Sequence, residues 1–282
     1  MFTFSPLQIT LASAIKDTQQ QIIDVQNQLS SGKRNLNAGE NGVVTRLASQ
    51  ASAYDVASRN VSTASNVLTV GQTTLTSIVS IVTQLQNLAT QAFSAGVTTA
   101  DLTNLDATFT QLWNQIPTLI TAASVNGNNI LNSSLTVTYD PNATTPSTIT
   151  IPSQATSLTS GANYIAMAAL VAAASTPLTT AAAGSTTLQA TFLGYLNAST
   201  GFLNDISTAQ GSLQAYSATL DAISTGTAAL STGLNSTVSS MENIDSTAMQ
   251  TKLQSLNNQQ SIDYYLVSQM NTESSAILAI FR

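Results

Sequence analysis

Apolar residues recur at every third or fourth position through most of this chain, and polar residues fill the positions between them. Near the N-terminus the apolar positions step by four, three, four, three and four, with one polar member in the series: Leu11, Ile15, Thr18, Ile22, Val25 and Leu29. This spacing is typical of the buried seam of a helix that packs along a second helix. Because proline suits the first turn of a helix, Pro6 favours a helix over residues 6–31.

A second seam repeats every seven residues over six heptads: Leu47, Tyr54, Val61, Leu68, Leu75 and Val82, with companions at Ala57, Ile78, Leu85 and Ala92. A repeat this regular predicts a long helix in a supercoiled bundle, although Gly71 lies inside it. A third helix is predicted over residues 102–119, with Thr99 or Asp101 as its cap and a kink at Pro117. The seams resume over residues 202–241 and 249–280, which predicts further helices.

The pattern changes between residues 131 and 185. Two short runs alternate apolar and polar residues on either side of the turn-forming sequence DPNATTP: Leu135, Val137 and Tyr139 before it, and Ile149 and Ile151 after it. Such alternation around a turn predicts a β-hairpin. The alanine-rich residues 164–174 predict a short helix, and we interpret the whole block as a small surface insertion.

The two chain ends carry matching seams, which predicts that they pair as antiparallel helices. The predicted fold is therefore mainly α. It is an elongated bundle of long coiled-coil helices from both chain ends, with a small β-hairpin insertion.

Charged residues make up only 7% of the chain, against about 25% in an average soluble protein. The net charge is -6, and no Lys or Arg occurs between Asn60 and Thr251. Copies with so few charges repel each other weakly, so the composition favours self-association. Because the chain lacks clustered cations, we expect no nucleic-acid binding.

The chain contains neither cysteine nor histidine. This excludes disulfides, thiolate nucleophiles, histidine bases and zinc sites built on these residues. The acidic residues are scattered along the predicted helices instead of forming catalytic pairs, so we expect no enzyme activity, no cofactor and no metal. The N-terminus does not match a cleaved signal, and no apolar run is long enough for membrane insertion.

Residues 28–46, QLSSGKRNLNAGENGVVTR, separate the first two seams and are unusually rich in charge. Gly39 and Gly42 tolerate the backbone angles that a change of direction needs. Lys33, Arg34 and Arg46 are three of the seven basic residues. Two interpretations stay open: a plain interhelical loop with solvated charges, or a junction whose cations bind acidic side chains of neighbouring subunits.

Three segments in order resemble bacterial flagellins. The first is LSSGKRNLNAGENG at residues 29–42, and the second is QLQNLATQ at residues 84–91, followed by a turn, a helix and NGNNIL at residues 126–131. The third is the C-terminal SSAILAIFR, and MENIDSTAMQTKLQSLNNQQ before it matches the family loosely. The resemblance covers roughly residues 1–131 and 186–282.

The resemblance implies a structural subunit that self-assembles into the extracellular flagellar filament for motility and is exported by the flagellar type III system. The implied partners are copies of itself, an export chaperone, the filament cap and hook-associated proteins. Residues 1–42 and 243–282 would form a terminal inner helical domain, including a spoke segment, that folds on assembly. Residues 43–131 and 186–242 would form an α-rich rod domain, and residues 132–185 a small variable insertion.

The expected assembly interface combines seam residues from both ends with the residues of the junction: Ile15, Ile22, Leu29, Lys33, Arg34, Gly39, Gly42, Arg46, Leu266, Met270, Ile277 and Ile280. Family members recognised by the Toll-like flagellin receptor carry Arg and Glu where this chain has Gln86 and Asn87, so we expect weak activation of that receptor. Two alternatives stay open: a hook–filament junction protein, and a surface adhesin built on a flagellin body.

Overall fold

The computed structural model describes residues 6–94, 96–141, 144–174 and 186–280. Its elements in chain order are α1 (Pro6–Ser31), α2 (Ala38–Gln91), α3 (Thr99–Ala122), β1 (Leu135–Asp140), β2 (Ser147–Ile151), α4 (Ala155–Leu158), α5 (Ala162–Ala174), α6 (Thr186–Glu242) and α7 (Ser246–Ile280). The predicted mainly α fold is confirmed, and α1 has the bounds that the sequence pattern predicts. None of the described helices is long and apolar enough to cross a membrane.

The chain divides into two compact units, a terminal unit (Met1–Ser49 with Thr232–Arg282) and a central unit (Gln50–Ser231). In the terminal unit α1 and α7 pack together. They run antiparallel, because Thr18 contacts Asp263 whereas Leu29 packs on the same buried cluster as Leu253. The predicted pairing of the chain ends is confirmed. The predicted division into three functional domains stays a prediction.

The core of the central unit forms along the predicted seams of α2, α3 and α6. These helices contribute most of its fully buried large side chains: Leu68, Leu75, Ile78, Leu85, Phe109, Ile116, Phe192, Tyr195 and Phe202. Phe109 of α3 stacks on Tyr195 of α6, with 4.1 Å between the ring centroids. Trp113 and Ile120 of α3 are buried too, although they lie outside the predicted seam, and Phe192 and Tyr195 of α6 lie before the seam predicted for residues 202–241.

The predicted β-hairpin is confirmed. β1 and β2 pair in antiparallel register, with Leu135 opposite Ile151 and Val137 opposite Ile149. The ladder is irregular between Thr138 and Asp140. Val137 and Ile151 are buried in the core of the central unit, so the apolar face of the hairpin packs inward as the alternation predicts.

Thr98, not Thr99 or Asp101, is the N-cap residue of α3, which corrects the prediction. The Thr98 hydroxyl accepts a hydrogen bond from the backbone N–H of Asp101 at 3.3 Å. The Asp101 carboxylate accepts one in return from the backbone N–H of Thr98 at 2.9 Å. This reciprocal arrangement is a capping box, in which Asp101 is the partner of the cap. The helix then continues past Pro117 to Ala122, and a kink at Pro117 stays a prediction.

Candidate assembly surfaces

The helix break inside the charged stretch is shorter than its composition suggests. α1 ends at Ser31 and α2 begins at Ala38, so only residues 32–37 are non-helical. Gly32 has a φ of 69°, in the left-handed region that favours glycine. Gly39 and Gly42 lie inside α2, and neither has a positive φ. The prediction that these two glycines turn the chain is therefore wrong, because the turn lies at Gly32.

The break after α1 lies beside the break before α7. The backbone N–H of Arg34 donates to the carbonyl of Glu242 at 2.6 Å, and the N–H of Ile244 donates to the carbonyl of Gly32 at 3.4 Å. Lys33 and Asn243 form an antiparallel bridge between these bonds. We call residues 32–34 and 242–244 the clamp, since together they hold the two helix breaks side by side.

Two ion pairs involve the clamp. The Lys33 ammonium lies 2.8 Å from the Glu242 carboxylate, and the Arg34 guanidinium lies 2.7 Å from the Glu40 carboxylate. The Lys33 and Arg34 side chains are 61% and 42% exposed, and such surface pairs each stabilise by about 0–1 kcal/mol. Both cations therefore have partners within a single chain. Arg46 is exposed and makes no ion pair with any described residue.

Side chains cap the helices on either side of the clamp. The Asn37 side-chain oxygen accepts from the backbone N–H of Glu40 at 2.8 Å, and the Glu40 carboxylate accepts from the N–H of Asn37 at 3.0 Å. At α7 the Asp245 carboxylate accepts from the N–H groups of Thr247 and Ala248 at 2.9 and 3.1 Å. Neither cap is among the predicted features. The signal for the first is an Asn followed three residues later by Glu.

The seam between α1 and α7 is narrow. Its buried apolar residues are Ile22, Val25 and Leu256, and its half-buried ones are Leu29, Met249 and Leu253. Thr18 and Asp263 are also buried in this unit, and the Thr18 hydroxyl donates to the Asp263 carboxylate at 3.4 Å. Two predicted interface residues, Ile22 and Leu29, thus lie between the paired helices of one chain.

Beyond that polar pair the helices enclose an open apolar groove of about 560 Å³. Six apolar residues and one asparagine line it: Ile9, Leu11, Ala12 and Ile15 from α1, and Val267, Met270 and Asn271 from α7. Ile15 and Met270, both predicted interface residues, therefore border a cavity that the described residues leave unfilled.

The other face of α7 exposes large apolar side chains. Leu266 is 44% exposed, and Ile262 and Tyr265 are 59% and 64% exposed. These residues are spaced by three and four positions, so they share one helix face. The predicted interface residue Leu266 therefore does not belong to the core of the helix pair. Ile277 and Ile280 lie in α7, and their side chains are outside the described residues.

The central unit holds the two positions predicted to weaken receptor recognition. The Gln86 side-chain amide donates to the Thr200 hydroxyl at 3.1 Å, and Asn87 is exposed. The receptor prediction stays a prediction.

A buried tyrosine links three helices of the same unit. The Tyr195 hydroxyl lies 3.2 Å from the Asp106 carboxylate and 3.3 Å from the carbonyl of Leu170. Burial raises the pKa of both side chains, and the Asp106 charge raises that of Tyr195 further. We interpret this pair as a structural bond. In the described parts of the chain no group of three or more acidic side chains is placed to hold a metal.

Comparisons with known proteins point to one family. The model of the bacterial flagellin N-terminal helical region matches residues 6–136. The solved structures similar to this chain include Bacillus cereus flagellin, at 20% sequence identity and a TM-score of 0.45, with 60% of this chain and 88% of that chain covered. No curated protein matches the sequence. Over residues 6–136, which include α1, α2 and α3, the chain therefore matches the N-terminal helical region of bacterial flagellins.

Proposed function

We propose that this chain is a filament-forming flagellin, exported by the flagellar type III system and assembled into the extracellular filament that drives motility. The match of residues 6–136 to the flagellin N-terminal helical region supports a structural subunit of the filament type. The observation that carries the proposal is the surface of the terminal unit, where a helix pair with a small core leaves apolar side chains uncovered.

Two separate surfaces of the terminal unit suit contact with further copies. One is the apolar groove beside Ile15 and Met270, and the other is the exposed face of α7 around Leu266. A surface that is complementary to a different surface of the same molecule gives head-to-tail contacts, which generate helical filaments when they do not close into a ring. Two unlike apolar surfaces therefore favour a filament over a closed dimer.

The low charge of the chain supports close stacking. Lys33 already pairs with Glu242 and Arg34 with Glu40 inside the chain, so the contribution of Lys33 to assembly would be to hold the clamp. Arg46 stays exposed and is the cation of this group best placed to bind an acidic side chain of a neighbouring subunit. Gly42 has open space around it, which would let a neighbouring chain approach the start of α2 closely.

The proposal includes folding on assembly for the terminal domain, residues 1–42 and 243–282. Helices with uncovered apolar faces bury them fully only when other copies cover them. The chain therefore loses the conformational entropy of its ends at the moment of assembly. Before assembly an export chaperone would cover these faces. The filament cap and hook-associated proteins would contact them at the filament ends.

Seeded polymerisation followed by electron microscopy tests the proposal. The purified chain should elongate filament seeds into long filaments, and Leu266→Asp should raise the concentration needed for growth at least about tenfold, because it would bury a charge in the contact. Asn258→Asp places the same charge at an exposed polar position of α7 and should leave growth unchanged.

Two outcomes would count against the proposal. If the wild-type chain failed to elongate seeds, the hook–filament junction alternative would be favoured. If Leu266→Asp grew filaments as readily as Asn258→Asp, the exposed face of α7 would have no part in assembly.

A further inference from the structure

Asp263 is a buried acidic residue in the seam between α1 and α7. Only 8% of it is exposed, and its partner Thr18 is 2% exposed. Asp263 lies seven residues from Leu256 on one side and seven from Met270 on the other, which places all three on the same face of α7. We call the pair the Thr18–Asp263 layer. It separates the small apolar cluster of the seam from the apolar groove.

The contact inside this layer is weak. The Thr18 hydroxyl oxygen lies 3.4 Å from the Asp263 carboxylate oxygen, whereas an O–H···O bond is usually 2.5–3.0 Å long. Asp263 has no ion pair with any residue that the structure describes. By contrast, the neighbouring pair formed by Gln19 and Tyr264 makes a 2.8 Å bond in an exposed position.

The Asp263 carboxylate loses most of its hydration, and the one long bond from the Thr18 hydroxyl replaces that hydration only in part. Replacing a buried polar or ionic group with apolar residues of similar size often makes the folded protein more stable. Single polar residues at seam positions of coiled coils likewise weaken the pairing. The exposed Gln19–Tyr264 pair keeps its contact with water, so it carries no comparable cost.

The cost weighs heavily because the seam is small. Among the described residues only Ile22, Val25 and Leu256 form its buried apolar cluster. The core of the central unit is much larger and includes side chains from α2, α3, α5, α6 and both strands. One unfavourable layer is therefore a large share of what holds α1 and α7 together.

We propose that the Thr18–Asp263 layer weakens the α1–α7 pair in the single chain, so that the two terminal helices can separate and pair again. The layer acts as a built-in limit on the stability of the pair. Its use rests on the proposed function, because passage through an export channel and re-pairing in a filament both need helices that open.

Hydrogen exchange of the full chain, kept dilute and unassembled, tests the proposal directly. The double variant Thr18→Val with Asp263→Leu replaces the layer with apolar residues of similar size. Its α1 amides should exchange at least about tenfold more slowly than those of the wild type. The single variant Asp263→Asn removes the charge and keeps a polar side chain, so its exchange should be slowed less.

The matched control is the double variant Gln19→Leu with Tyr264→Phe, which removes the exposed bond one residue along each helix and should leave exchange unchanged. Unchanged or faster exchange in the Thr18→Val, Asp263→Leu variant would overturn the proposal. Equal slowing in the control would also overturn it, because added apolar surface would then explain the effect. Failure of the wild type to elongate seeds is a separate result that removes only the filament proposal.

Discussion

Gly71 lies in the middle of α2, where a glycine normally weakens a helix by about 1 kcal/mol relative to alanine. The structure explains its presence by a close approach. A Cβ at this position would lie 2.8 Å from a methyl carbon of Ile130, 3.4 Å from Leu213 and 3.6 Å from Leu131. All three neighbours are fully buried, so they have little room to move. We expect Gly71→Ala to destabilise the central unit.

The size of the effect follows from two opposing terms. Overpacking a well-filled core lowers the free energy of unfolding by about 1–3 kcal/mol, and the better helix propensity of alanine raises it by about 1 kcal/mol. Gly211 in α6 is the matched control, because a Cβ there meets nothing within 4 Å. Gly211→Ala should stabilise the chain by about 1 kcal/mol. The difference between the two variants, about 1–3 kcal/mol, then isolates the steric term.

Urea unfolding followed by the fluorescence of Trp113 measures this difference. Trp113 is the single tryptophan and is 4% exposed, packed against Tyr164 and Phe202, so its signal reports on the central unit. Both variants should keep the urea dependence of the wild type. If Gly71→Ala proved as stable as Gly211→Ala, the close packing of α2 against Ile130 would not explain the glycine.

Two further predictions use the same assay. Thr98→Ala removes the cap of α3 and should lower the free energy of unfolding by about 1 kcal/mol, whereas Thr98→Ser should keep most of it; equal loss in both would contradict the capping role. Burial raises the pKa of Asp106, so the folded chain binds this proton more tightly than the unfolded chain. The contribution of Asp106 is complete below its unfolded pKa of about 4 and is lost as the pH rises through the folded value. Asp106→Asn should abolish that loss, and a variant whose stability falls with pH as the wild type does would refute it.

The helices could be predicted because their seams repeat over many turns. Each heptad of a seam such as that of α2 predicts the same buried helix face, so one glycine or polar residue does not obscure the pattern. The hairpin is equally local, since the alternation and the turn sequence occur within a short segment. The helix ends are harder. Thr98 and Thr99 are chemically alike, and only the backbone geometry decides which one caps α3.

The clamp could not be predicted, because its contacts join distant parts of the sequence. Lys33 and Glu242 are separated by 209 positions, and the local sequence around either residue does not predict that the other is its partner. The glycine with the positive φ takes part in this contact, since the Gly32 carbonyl accepts a backbone bond from Ile244. Local composition pointed to Gly39 and Gly42, which are equally permissive in isolation.

Asp263 shows how a correct pattern can still mislead. Six of the seven residues 257–263 are polar, which suggests a solvent-facing interruption of the last seam. Counting by heptads from Leu256 instead places Asp263 on the seam, and the structure buries it there. Average polarity reports the whole surface of a helix, whereas the heptad position reports one face.

The structure of the terminal unit couples the pairing of α1 and α7 to assembly. The clamp and its Lys33–Glu242 ion pair hold the two helix breaks together at the base of α1 and α7, while the seam beyond them has a small core and a polar layer. Local stability in a protein follows the number of buried apolar contacts, so this pair should open more readily than the central unit. Its uncovered groove and outer face offer the burial that the single chain lacks. A second copy that covers them would bind the paired helices and not the separated ones. It would thereby stabilise the paired state, so assembly and helix pairing would reinforce each other.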